Sequence, residues 1–236
     1  MSIEALVKNT RFYRWQKQRI ARLRYSLKRW RRTVGRDRYS AKEDYLFETT
    51  PEWFEKHLNA TVLNEHGRFL TRRVLDIGCH HGLSSVYLSR CGKAVVGLDL
   101  NGKALVQADR FKAREEVRVR ERLHFVQGYI HQMPFRDGVF ESAIMFDVLE
   151  HIYENDWKRV FQEIKRVLKP SSRLLVIVPY GYFYNNHSHV SFFHRVKDLE
   201  RVLIDHGMSV EAITLDERTD LHGSEHKRIN ALARVE

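Results

Sequence analysis

The chain has 236 residues, 43% of them hydrophobic, which suits one α/β domain with its own core plus an extension. Its two cysteines, Cys79 and Cys91, exclude a disulfide framework, and no apolar run approaches the roughly 18 residues of a membrane-spanning helix. The net charge of +11 is carried by one end: residues 1–38 hold 13 Lys and Arg against Glu4 and Asp37, while the remainder balances. Such an asymmetry speaks about partners and location, not about fold. With no secretory signal visible, the thiols read as reduced and the location as cytoplasmic.

Residues 1–45 form a basic amphipathic extension. Phe12, Ile20, Leu23, Leu27, Trp30 and Val34 recur at spacings of mostly three and four, a helical apolar stripe among arginines. Tyr13, Trp15, Tyr25 and Trp30 suit a membrane interface, so residues 8–36 are expected to meet an anionic membrane surface peripherally. Three alternatives stay open: a helix packed on the body or a second subunit, a phosphate grip on nucleic acid, and a mitochondrial targeting segment.

Residues 46–236 alternate strands and helices. Strands are expected at Arg73–Ile77, Ala94–Leu98, Leu123–Val126, Val139–Phe146 and Leu174–Val178, with Pro170–Ser172 as a turn before the last. Helices are expected over Leu83–Ser89, from about Lys103, over Asn155–Leu168 and over Val196–His206, the last ending at Gly207. Val210–Leu215 and Arg228–Val235 close the chain as strands. This order predicts a Rossmann-like α/β domain with a seven-stranded, mostly parallel sheet and helices on both faces. Ligands of such sheets bind beyond the C-terminal strand ends.

The segment Val74-Leu75-Asp76-Ile77-Gly78-Cys79-His80-His81-Gly82 runs a strand into a glycine turn and a helix. Small residues admit a ligand to the backbone, and the helix start offers free N–H donors. Asp76 at the strand end suits a cationic group and argues against a pyrophosphate. Asp99 ends the next strand, about twenty residues on, where a carboxylate accepts from a ribose diol. The plainer readings are a tight turn for the glycines, a helix N-cap for Asp99 or Asp147, and a packed small residue for Cys79.

Four segments together, VLDIGCHHG (74–82), VVGLDLN (95–101), MPFRDGVFESAIMFDVLEHI (133–152) and RVLKPSSRLLVIVPY (166–180), resemble the class I S-adenosylmethionine-dependent methyltransferases, particularly the group acting on small molecules, lipids and sugars. The resemblance implies S-adenosyl-L-methionine as cofactor. It implies that Asp76 serves the cofactor's amino group and that Gly78, Cys79, His80 and Gly82 line its methionine and ribose. Asp99 would take the ribose hydroxyls and Leu100 the adenine face. Gly128, Tyr129 and Ile130 would meet the adenine edge, and Phe146 and Asp147 would border the methyl group. Two departures are the bulky His80-His81 pair in the glycine turn and Tyr129, where the family commonly has an aspartate.

An oxygen acceptor often needs a general base, and a near-neutral imidazole suits that work. His187 and His189, in an aromatic segment after the fifth strand, and His151 are the candidates. No metal is expected, because the set His187, His189 and His194 has no carboxylate or cysteine near it in sequence. The leading expectation is O-methylation of a small, lipid-linked or carbohydrate acceptor. An RNA methyltransferase gripping phosphates with the extension, and a non-catalytic membrane or scaffold protein with a degenerate body, are the alternatives.

Overall fold

Seven strands and the helices between them follow the order anticipated from hydrophobic alternation. The computed structural model describes residues 51–54, 58–181, 189–219 and 225–236. The basic extension and its boundary at residue 45 lie outside these residues, as does His187. The elements are α1 (Pro51–Phe54), α2 (Leu58–His66), β1 (Arg73–Ile77), α3 (Leu83–Arg90), β2 (Ala94–Asp99), α4 (Gly102–Ala113), α5 (Val117–Arg120), β3 (Leu123–Gln127), β4 (Phe140–Phe146), α6 (Glu154–Val167), β5 (Leu168–Pro179), α7 (Val196–Asp205), β6 (Met208–Thr219) and β7 (Glu225–Val235).

The sheet order is β3-β2-β1-β4-β5-β7-β6. Strands β1 to β5 pair in parallel, and β7 runs antiparallel to both of its neighbours, β5 and β6. The sheet reverses its order of growth between β1 and β4, so the C-terminal ends of β1, β2 and β4 border one crevice.

Alternation along each strand divides the core in two. One face gathers Leu75, Ile77, Met145, Leu174 and Val176 under α6 and α7. The other gathers Val74, Val95, Ile144, Leu175 and Ile177 under α2, α3 and α4. Helix α6 presents Trp157, Val160, Phe161, Ile164 and Val167, one continuous helical stripe, to the first face. At its far end Arg166 bonds Glu163, Asp137 and the carbonyls of Met133 and Phe135, which pins the segment leading into β4.

The expected turn at Pro170–Ser172 is corrected. These residues belong to β5, whose pairing with β4 begins at Phe140↔Leu168 and resumes after an irregularity at Ser142↔Arg173. Ser171 takes φ 62, which absorbs the offset without ending the strand. Helix α2 was not expected. Its apolar residues Ala60, Val62 and Leu63 are buried under the sheet.

Phe161 is fully buried between α6 and the sheet, with its ring 4.9 Å from that of His206. Replacing it with alanine is expected to lower stability by about 3–5 kcal/mol, the usual cost of emptying an aromatic site in a core. Urea denaturation would show this as a lower midpoint with an unchanged slope.

Candidate active site

The glycine turn joins β1 to α3. Gly78 has φ 73 and Gly82 has φ 74, both in the region that favours glycine. A Cβ on Gly82 would stand 2.4 Å from Phe125 Cζ, and one on Gly78 2.4 Å from Val148 Cγ2. The turn is thus packed from both sides by side chains of β3 and of the segment after β4. The Gly78 and Cys79 amides donate to the Leu98 carbonyl, and the Gly82 amide donates to the Cys79 carbonyl.

His80 holds φ 48, a left-handed backbone that costs a non-glycine residue about 1–2 kcal/mol. Its amide donates to Asp99 Oδ2 at 2.8 Å, a charge-assisted bond that offsets this cost. The His80 and His81 rings lie 3.7 Å apart between centroids. His81 is buried, and burial followed by the neighbouring His80 lowers its pKa to about 4. It is therefore neutral at physiological pH.

Asp99 also accepts from the Asn101 amide at 2.7 Å, on its other oxygen. The cap of α4 is Asn101, whose Oδ1 accepts from the Lys103 and Ala104 amides. Each Asp99 oxygen takes one protein amide and keeps a lone pair for another donor. Leu100 beside it is 43% exposed, an apolar face left open at the crevice. The Gly128 amide donates to the Asp99 carbonyl, which brings Tyr129 and Ile130 to the same rim. Tyr129 is half-buried, and burial raises its pKa, so the phenol keeps its proton.

Asp76 lies deeper than its neighbours. It is 3% exposed, and the Ser85 hydroxyl donates to its Oδ2 at 2.6 Å. A ligand's ammonium would sense it through Ser85 or the turn rather than by open contact. Burial raises its pKa from 3.8 to about 7, the Ser85 bond opposes the rise, and Asp99 adds to it. Cys79 is buried too, and burial pushes its thiol well up, so it is not a thiolate nucleophile.

The other side of the crevice follows β4. Phe146 is buried, and Asp147 holds φ 53 with its amide donating to the Ile177 carbonyl. A 3-10 turn, Leu149–His151, comes next. The segment after β5 is stapled onto it. The Val190 and Ser191 amides donate to the Glu150 carbonyl, and the Ser191 hydroxyl donates to the Ile152 carbonyl at 2.7 Å. Trp157 stacks on Phe193 just beyond, with 5.9 Å between centroids. The result places the His151 and His189 rings edge to face at 4.9 Å.

Two residues here were not anticipated from sequence. Glu150 is 1% exposed, and its Oε2 has no hydrogen-bond partner among the described residues. Burial, then the nearby Asp147, raise its pKa to about 9, against the pull of Arg228. Arg228, from β7, reaches Asn59 of α2 and comes within 4.0 Å of Asp147 Oδ2. Glu150 carried a signal, since a carboxylate beside a candidate base is worth following. Arg228 carried none.

The Asp76 environment predicts a pH dependence. The native carboxyl keeps a proton that the unfolded chain releases above about pH 4. Its contribution to stability is present at low pH and is lost as pH rises through about 7. Asp76→Asn, which keeps an acceptor for Ser85, should therefore stabilise the unliganded protein at pH 8, by at most about 4 kcal/mol. Urea midpoints at pH 4.5, 6 and 8 would show that gap opening with pH; a constant gap would contradict it.

Residues 75–176 match the family described as "Methyltransferase domain". An uncharacterized methyltransferase of Synechocystis is 32% identical over 42% of this chain and 43% of its own length. The phthiotriol/phenolphthiotriol dimycocerosates methyltransferase 1 of Mycobacterium ulcerans is 30% identical over 56% of this chain and 47% of its own. The chain thus spans less than half the length of these curated relatives. Among solved structures, a SAM-dependent methyltransferase of Methanosarcina mazei superposes with a TM-score of 0.61 at 20% identity, over 72% of this chain and 95% of that one. With its strand order, its glycine turn and its paired acids, the chain belongs through residues 75–176 to the class I S-adenosylmethionine-dependent methyltransferases.

Proposed function

We propose that the protein transfers a methyl group from S-adenosylmethionine to an oxygen of a small, lipid-linked or carbohydrate acceptor. The observation that carries this reading is the meeting of His151 and His189 beside Asp147, at the strand end opposite the Gly78–Gly82 turn. The relative from Mycobacterium ulcerans, named for phthiotriol dimycocerosates, favours an acceptor of this breadth.

The residues present fit the cofactor. Asp99 keeps lone pairs for a diol, Leu100 offers an open apolar face, and Tyr129 and Ile130 stand at the same rim. Gly78, Cys79, His80 and Gly82 form the turn that would hold the ribose and methionine parts. Asp76 would act on the ammonium from beneath. When bound, the sulfonium supplies an already reactive methyl group, so the chain's work is alignment, exclusion of water and removal of the acceptor's proton. Phe146 and Asp147 border the reacting centre. The His151–His189 corner is where the acceptor hydroxyl loses its proton, with His187 of the same segment as a further candidate.

Incubating the protein with methyl-labelled cofactor and fractionated cell extract tests the reading. Label is expected in a lipid or sugar fraction. His151→Ala and His189→Ala should each lower kcat by about a hundredfold, the scale of lost acid–base help. Label appearing in RNA instead would overturn the acceptor assignment.

The excess charge of residues 1–38 supports a place at an anionic membrane surface. Among the described residues no helix is long and apolar enough to cross a membrane. Flotation with anionic liposomes is expected to carry the full chain and to lose most of it when residues 1–38 are removed. Equal flotation of both forms would remove this location.

A further inference from the structure

Glu150, His151 and His189 offer three donor atoms that all lie within 4.8 Å of one another. The arrangement is graded in depth. Glu150 is the floor, almost wholly buried, and its Oε2 has no hydrogen-bond partner among the described residues. His189 is half-buried, and His151 is exposed at the rim, with its Nε2 3.9 Å from Glu150 Oε1. A carboxylate oxygen buried without a donor is normally matched by a cation or a proton. Here two imidazoles border the same space, and the exposed rim gives an ion a way in.

The three ligands are also held in place before anything binds. The turn bearing Glu150 and His151 is tied to the segment bearing His189 by the Val190 and Ser191 amides and the Ser191 hydroxyl. These bonds fix the two backbone pieces relative to each other, as supporting contacts do around metal ligands elsewhere.

We propose that Glu150, His151 and His189 form a binding site for a borderline divalent transition-metal ion such as Zn2+ or Co2+. Two nitrogens and one carboxylate match these ions, whereas Mg2+ and Ca2+ favour all-oxygen sets. Three protein ligands leave coordination open on the crevice side for an acceptor oxygen. This role rests on the methyl-transfer reading. With the two imidazoles engaged as ligands, the ion would take over their part in deprotonation: it would lower the pKa of an acceptor hydroxyl, whose proton passes to water. The oxygen's electron pair then forms the O–C bond to the methyl group as the S–C bond breaks and its pair returns to sulfur. The carboxylate that sequence alone left without a place near His189 is thus Glu150, brought there by the fold.

The test uses the full chain, stripped with chelator and titrated with Co2+ while its visible absorption is followed. S-adenosylhomocysteine binding is measured in parallel by calorimetry. One Co2+ per chain is expected, displaced by Zn2+. Glu150→Gln, His151→Ala and His189→Ala should each weaken it by at least about tenfold. His124→Ala and His194→Ala, outside the cluster, should leave it unchanged. His189→Ala alters only a connecting segment, so it keeps the test valid if Glu150→Gln impairs folding. Absence of a stoichiometric site, or unchanged Co2+ binding in His151→Ala and His189→Ala, overturns the proposal. S-adenosylhomocysteine binding without Co2+ binding removes the metal and leaves the methyl-transfer reading intact. Co2+ binding without S-adenosylhomocysteine binding does the reverse.

Discussion

The Asp99 carboxylate accepts one amide hydrogen from His80 and one from Asn101, and the cofactor side of the crevice is organised around that pair of hydrogen bonds. One donor belongs to the turn after β1 and the other to the start of α4. The Leu98 carbonyl takes two further amides from the β1 turn, and the Asp99 carbonyl takes the Gly128 amide from the end of β3. Three strand ends are therefore joined by hydrogen bonds between groups that would otherwise sit unpaired at the rim. The same clasp explains how histidine occupies a left-handed position. The strain at His80 is offset locally, by a charged acceptor placed where its N–H points.

The acceptor side is built on a different principle. There, ionisable side chains crowded onto one backbone corner set its character. Asp147 and Glu150 stand near each other, Arg228 approaches from β7, and two histidines close the rim. Arg228 also ties this corner to α2 through Asn59. A helix outside every motif segment thus touches the group that faces Asp147. Changes in α2 would be felt at the reaction centre through a single guanidinium.

Much of this was legible in the sequence because it is local and periodic. Strands with alternating or continuous apolar runs, the glycine turn and the acid at the end of β2 are short-range patterns; β1 to β4 fall within a residue of their expected places, while β5, β6 and β7 run three to six residues longer at one end than expected. What was not legible depends on tertiary partners. Pro170–Ser172 has turn composition, yet it continues β5 because Phe140 of β4 offers a partner at Leu168. Helix α2 has a mixed pattern that only the sheet beneath it makes stable. The cap of α4 is Asn101, two residues past Asp99, whose carboxylate is already committed to two amides. Glu150 gains its place only when the segment carrying His189 folds over it.

The position of β7 has a consequence for how the domain comes together. It lies between β5 and β6, so β6 contacts the sheet only through a strand that follows it in the chain. Before β7 docks, β5 has an open edge along Leu174, Leu175, Val176, Ile177 and Val178, all fully buried once pairing is complete. Such an apolar, uncharged run with unpaired amides is a template for any other extended chain. The β6–β7 hairpin therefore covers this edge, and loosening it would expose a continuous apolar strand to other chains.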